Sequence, residues 1–356
     1  MRRFLAVVAA VGMVAAALLV RTVIDGGSGG GPGGAGGDGS DDTTTVVCGP
    51  DLRALCEALA AADPTVRVVV EDEADTVARL AADGVAGLDA DAWFTVGPAA
   101  AVLADDRAAA GLPPLALGGT SPVLARSPAV LVAAADRAAA LTSACPTGVT
   151  WACVGPFAGR PWTEAGGQPA WGQLRPGLPS PATGAGLVVW SQAVSSQTVA
   201  VDLPALWARN DLDDPAVSGW FDALATQSKR AGAAAGDPLS RFLVAPATFG
   251  VVGALEAAAG PAVQRGAGRN APSLIYPEPV VSADVTLTVP AGSSPEDVLD
   301  RLGRDRIEQF LAEEGWRVPG RPDAPGVGGG PPLPDTSGLA SPGSLSYLQE
   351  RWGAAR

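Results

Sequence analysis

The sequence predicts an α/β fold built in two lobes, and three observations carry that prediction. Short β-branched runs alternate with helix-length segments after a glycine-rich stretch near the start. The alternation breaks in the middle of the chain, in a block with its own tryptophan cluster. It then resumes towards the end. Strands separated by helices of this length imply βαβ units and a parallel sheet.

Residues 43–47, TTTVV, read as a first strand. Residues 51–62 have helical spacing, with Pro50 just before them and Asp51 placed as the N-cap. VRVVV at 66–70 is a second strand, and residues 75–83 form a second helix stopped by Gly84. Between the two, Glu71, Asp72, Glu73 and Asp75 read as a solvated turn rather than a catalytic cluster. AWFTV at 92–96 is a third strand, followed by a helix over 99–107. SPAVLVA at 127–133 and RFLVA at 241–245 read as extended crossings. They flank a block, about 136–240, that holds Trp151, Trp162, Trp171, Trp190, Trp207 and Trp220. Beyond it come a helix over 248–258, a strand around 273–276, VTLTV at 285–289 and a closing helix over 295–314. One lobe interrupted by another and joined by two crossings places a cleft between them.

The ends of the chain have a different character. Met1-Arg2-Arg3 precedes an uncharged apolar run over 4–20, which fits an uncleaved membrane anchor or a cleaved secretory signal. In either case the chain is exported. Residues 25–42 are almost all Gly, Ser, Asp and Pro, a composition that behaves as a tether. The expected organisation is therefore an anchor or signal at 1–24, a linker at 25–42, lobe I over 43–130, lobe II over 131–244, the return to lobe I over 245–318 and a Pro/Gly-rich tail over 319–356. That tail ends in SLSYLQERWGAAR, which either docks as a short helix through Tyr347, Leu348 and Trp352 or stays loose.

Composition narrows the function. Net charge is −13, with no histidine and a single lysine, Lys229. Nucleic-acid binding needs a basic face, so an acidic chain argues against it. Without histidine there is no Ser-His-Asp hydrolysis, no Cys-His nucleophile and no His-ligated zinc. No cofactor is implied. Four cysteines in an exported chain suggest two structural disulfides. Of the three pairings, the equal spacing favours the local ones, Cys48 with Cys56 and Cys145 with Cys153.

The most informative stretch is WGQLRPGLPSPATGAGLVVW at 171–190. It reads as a short strand over 171–174, a Pro-rich loop and a helix opening at Thr183-Gly184-Ala185-Gly186. A helix N-terminus exposes unpaired N–H groups and the positive end of the dipole. Small residues there let a ligand approach the backbone, so the place is a seat for a small anion or polar ligand.

In this order of elements the chain resembles the class II solute-binding proteins of ABC transporters, the two-lobed type 2 periplasmic-binding fold. The residues that carry the resemblance are Val46-Val47-Cys48-Gly49-Pro50-Asp51, Asp91-Ala92-Trp93-Phe94 and the Trp171-Gly172 to Leu187 element. Leu274-Ile275-Tyr276-Pro277-Glu278-Pro279 and Phe310-Leu311-Ala312-Glu313-Glu314-Gly315-Trp316-Arg317 complete the set. It is similar to the actinobacterial surface branch of that family. The resemblance implies a cleft between lobes that takes a small molecule and a partner ABC permease. Carried over by position, the ligand residues would be Gly49, Asp51, Gly97, Thr183, Gly184, Ala185, Thr248 and Tyr276. The first loop departs from the pattern of oxyanion-binding members. A disulfide-bonded Cys48 cannot donate a hydrogen bond, Pro50 has no N–H, and Asp51 is expected to be spent as the N-cap of its own helix. The reading is a non-enzymatic receptor that captures a small polar solute at the outer face of the membrane. The alternative is a binding-fold domain used as a surface interaction or sensory module without a transport role.

Overall fold

The computed structural model describes residues 43–200, 206–266 and 271–355. The chain starts as the alternation predicts. β1 (Thr44–Cys48) leads through a short 3-10 turn, Pro50–Leu52, into α1 (Arg53–Ala62). β2 (Val66–Val70), α2 (Glu73–Ala81), β3 (Ala92–Val96) and α3 (Ala99–Ala109) follow. β1 lies between β2 and β3, parallel to both. All five residues of β3 are buried, as a strand covered on both faces requires.

β4 (Leu117–Thr120) precedes β5 (Ala125–Ala134), the strand on which the architecture turns. Its first half, Ala125 to Pro128, pairs antiparallel with residues 282–285. Its second half pairs with two further strands, Ala129 to Val132 against 252–255 and Leu131 to Ala134 against 272–275. One strand therefore belongs to two patches of sheet, and the sheet runs unbroken through it.

The second patch is fed by α4 (Ala135–Ala144), α5 (Trp151–Val154) and the two-residue β6 (Pro176–Gly177). α6 (Gly184–Ala200) follows, then α7 (Arg209–Asp213), α8 (Pro215–Arg230) and α9 (Pro238–Val244). β7 (Val251–Leu255), α10 (Glu256–Arg265) and β8 (Pro272–Ile275) finish the patch. The chain then re-enters the first patch as β9 (Ser282–Pro290), antiparallel to β3, β4 and β5. α11 (Pro295–Leu302), α12 (Arg304–Glu313) and α13 (Pro342–Ala354) close the described chain. The strand order is β2-β1-β3-β9-β5-β7-β6. Among the described strands β1–β2, β1–β3 and β6–β7 pair parallel and the others antiparallel, so the sheet is mixed rather than parallel throughout.

α6 is the central helix. Val188, Trp190, Gln192, Ala193, Val194, Ser195 and Thr198 are all fully buried. It packs against β3, β5, β7 and β9, strands of both patches. A helix buried all round shows no amphipathic stripe. β7 lets it sit close to the sheet at Gly253, where an added Cβ would stand 2.5 Å from the Val189 side chain.

Four expectations are corrected. Residues 241–245 are not an extended crossing but the end of α9. Asp237 accepts the Leu239 and Ser240 amides at 3.0 Å and Pro238 occupies the first helical position, so the chain enters a helix there. The helix expected over 248–258 begins only at Glu256, because Val251 and Val252 lie in a buried strand. The strand expected over 171–174 is instead a 3-10 turn, Pro169–Trp171, followed by irregular chain. The closing helix is broken in two at Gly303, whose φ of 88° no helix accommodates.

Both local disulfides are formed, Cys48–Cys56 and Cys145–Cys153. The anchor or signal expected at 1–24 and the linker at 25–42 lie outside the described residues. Among the described residues no helix is long and apolar enough to cross a membrane.

Candidate functional site

The N-terminus of α6 is where the sequence places a ligand seat, and its amides are already taken. Gly184 N–H donates to Glu73 Oε2 and Ala185 N–H to Asp51 Oδ2, each at 2.8 Å. Gly186 N–H donates to Thr183 Oγ1 at 3.0 Å, the helix's own cap. The chain supplies its own anions to the positive end of this helix. A further bond, Ala74 N–H to Ala182 O at 3.0 Å, stitches the start of α2 to the same loop.

The glycines show why these carboxylates fit. A Cβ on Gly49 would stand 1.8 Å from Glu73 Oε1. A Cβ on Gly184 would stand 2.3 Å from the Val96 carbonyl oxygen, and one on Gly186 would stand 1.8 Å from that of Ser180. The small residues admit the protein's own groups to the backbone, rather than a solute. Asp51 accordingly does not cap its own helix; it lies in the 3-10 turn before α1 and reaches across to α6. Glu73, expected in a solvated turn, is 4 % exposed.

Burial raises the Asp51 carboxyl to about 6, and the facing charges of Asp237 and Asp72 add to the rise against the lowering effect of the Ala185 amide. Glu73 is also held well above the usual carboxylate range, first by burial and then by the charge of Asp51. Its Oε1 has no hydrogen-bond partner among the described residues.

Next to this junction is a cavity of about 530 Å³. It is lined by the start of α1, Asp72 at the entry to α2, residues 179–185, the segment before and into α9, the β7–α10 corner, and the end of α12 with Trp316. Asp51, Asp72, Asp237 and Glu314 line it, and no lysine or arginine among the described residues does. Leu52, Leu55, Leu239, Leu255, Phe310 and Trp316 supply the apolar wall.

Of the residues expected at a ligand site, Asp51, Thr183 and Ala185 line this cavity. Gly49 and Gly184 stand behind it, against Glu73. Gly97 is not in the lining; its N–H donates to Asp284 O at 2.8 Å, in a left-handed turn with φ of 85°. Thr248 lies in the turn ahead of β7, its N–H bonded to Ala245 O at 2.9 Å. Tyr276 is elsewhere too, its hydroxyl donating to Glu256 Oε1 at 2.5 Å. Asp237, Glu314, Phe310 and Trp316 were not among the expected residues. Asp237 carries a readable signal as an Asp-Pro helix start, yet nothing local says that it faces Asp51.

No protein-family model matches this sequence, and no curated relative does. Solved structures of similar trace include the sulfate-binding protein SubI from Mycobacterium tuberculosis H37Rv. It is 16 % identical with a TM-score of 0.44, over 78 % of this chain and 87 % of that one. A putative extracellular solute-binding protein from Bordetella parapertussis is 13 % identical with a TM-score of 0.49, over 89 % of this chain and 99 % of that one. The Trichodesmium protein IdiA (FutA), in complex with iron and citrate, is 11 % identical with a TM-score of 0.42, over 88 % and 96 %.

Proposed function

We propose that this chain is an extracytoplasmic solute-binding protein that captures a small polar molecule between two lobes and presents it to an ABC permease. The observation that supports this reading is the cavity of about 530 Å³, where the β1–α1 and β2–α2 corners, α12, the start of α6, α9 and the β7–α10 corner meet. A volume of this size, mostly apolar with a few convergent polar groups, is typical of small-molecule sites. β5, which belongs to both sheet patches, is the proposed hinge element between the lobes. The two disulfides suit an oxidising, extracytoplasmic setting. The apolar run at 4–20 would hold the protein at the outer membrane face, or direct its secretion if cleaved.

A thermal-shift screen across amines, sugars, amino acids and oxyanions tests the reading. A ligand present at a hundred times its Kd adds about 2.7 kcal/mol to stability, which raises Tm by several degrees in a domain of this size. A melting temperature unmoved by every solute would overturn solute capture.

A further inference from the structure

Building on solute capture, we propose that the cleft takes a linear organic cation, a diamine or polyamine. Its ammonium groups would be held by Asp51, Asp72 and Asp237 and its methylene chain by Phe310, Trp316 and the leucine wall. The cavity itself carries the argument. It is large enough for a small molecule, its walls are apolar and aromatic, and every charged group in its lining is a carboxylate. Aromatic faces add favourable contact with a cation, and aliphatic walls suit the methylenes between two charged ends.

Among the described residues no lysine or arginine lines the cavity beside these carboxylates. The Asp72 carboxylate accepts no hydrogen bond among the described residues, although Asp72 is the residue before α2. Asp51 uses only Oδ2, on Ala185, and leaves Oδ1 free of partners among the described residues. Asp237 binds the first amides of α9 and the Ser240 hydroxyl. An ionised carboxylate has about four acceptor sites, so all three keep capacity for a donor in the cleft. They come from three separate segments of the chain and line one cavity.

Other ligand classes fit less well. An anion would meet four carboxylates, and the helix end that could hold it is already filled by Glu73 and Asp51. A metal ion needs ligands converging on one point. Among the described residues no three His, Cys, Asp or Glu side chains do so. A neutral solute would be buried against uncompensated charge, which is costly. An extended cation meets dispersed carboxylates without requiring them to converge, and the overall charge of −13 draws cations towards the protein.

Isothermal titration of the full chain with spermidine and putrescine tests this, with mannitol, glycine and sulfate as the neutral, zwitterionic and anionic comparison. The expected result is saturable one-to-one binding of an amine that weakens as salt is raised. Asp72→Asn and Asp237→Asn should each lower amine affinity at least about tenfold. Asp72 makes no bond that its replacement would break, and asparagine still caps α9, so both variants should melt as the parent does. Binding of a comparison solute without an amine overturns the cation assignment and leaves solute capture standing. So does amine binding indifferent to both substitutions. Silence from every solute here and in the wider screen overturns both.

Discussion

The carboxylate of Asp51 accepts the Ala185 amide at 2.8 Å across 134 residues of sequence, and so joins the first corner of the sheet to the start of the central helix. The same oxygen pair faces Asp237 and Asp72 over the cleft. Asp51 therefore has two jobs that conflict. The hydrogen bond favours its charged form, while burial and the two like charges favour the neutral one.

That conflict sets a pH dependence. The folded-state carboxyl is raised to about 6 from 3.8, so folding favours the protonated form. Its stabilising contribution is complete below the unfolded value and disappears as pH rises through about 6. Two pK units correspond to about 3 kcal/mol at most, and partial solvent access lowers the figure. Asp51→Asn keeps an acceptor for Ala185 and removes the titration. The difference in unfolding free energy between variant and parent should change in the variant's favour, by about 2 kcal/mol, between pH 4 and about pH 6. Urea melts at several pH values measure it, and parallel curves would refute the assignment.

Gly49 is expected to resist substitution. A Cβ there would lie 1.8 Å from Glu73 Oε1, and Glu73 is held in place by Gly184. Gly49→Ala should cost about 1–3 kcal/mol, as overpacking of a close-fitted site does. Shortening the opposing residue tests the cause. Gly49→Ala with Glu73→Ala should recover part of the loss relative to the sum of the single changes. Strict additivity in denaturant melts would mean that the two residues do not meet.

The first half of the fold was legible in the sequence because its signals are local. β1, β2 and β3 follow from β-branched runs, and α1 to α3 from the helical spacing between them. The extended run at 127–133 and VTLTV stand inside β5 and β9 for the same reason. Of the candidate site, the resemblance named Asp51, Thr183 and Ala185, and these three line the cavity. The rest depends on which distant segments fold against those loops. EDEAD at 71–75 looks solvated on composition, and Glu73 is buried only because Gly49 and Gly184 leave room for it. Asp237 and Glu314 join the lining from separate returns of the chain. RFLVA read as a strand because its apolar run hid the Asp237-Pro238 helix start just before it.

The Cys145–Cys153 bridge closes a loop of nine residues between α4 and α5. Replacing both cysteines by serine should lower stability by about 2–3 kcal/mol on the chain-entropy estimate. Neither cysteine lines the cavity or bonds to Asp51. The double replacement should therefore leave the pH-dependent difference attributed to Asp51 intact, which makes it a control for the first experiment. A bridge-free variant with unchanged denaturation midpoint would show that the loop needs no covalent closure.

Tyr276 decides between a ligand-contacting and a structural role. Its hydroxyl donates to Glu256, which is fully buried and also accepts Arg317 Nε at 2.7 Å, Arg317 Nη2 at 2.9 Å and the Gly328 amide at 3.1 Å. The phenol is held above its ordinary range by burial and by the Glu256 carboxylate. Glu256 thus fastens the segment after α12 onto the start of α10. Removing one member of a buried pair strands its partner, at a cost of about 3–5 kcal/mol. Glu256→Ala should lose that much. Tyr276→Phe, which deletes one hydrogen bond to a charged group, should lose about 1.5–3 kcal/mol. Neither residue lines the cavity, so Tyr276→Phe should keep full affinity for any solute that the cleft binds. Weakened binding at unchanged stability would return Tyr276 to the ligand site that its position in the sequence suggests.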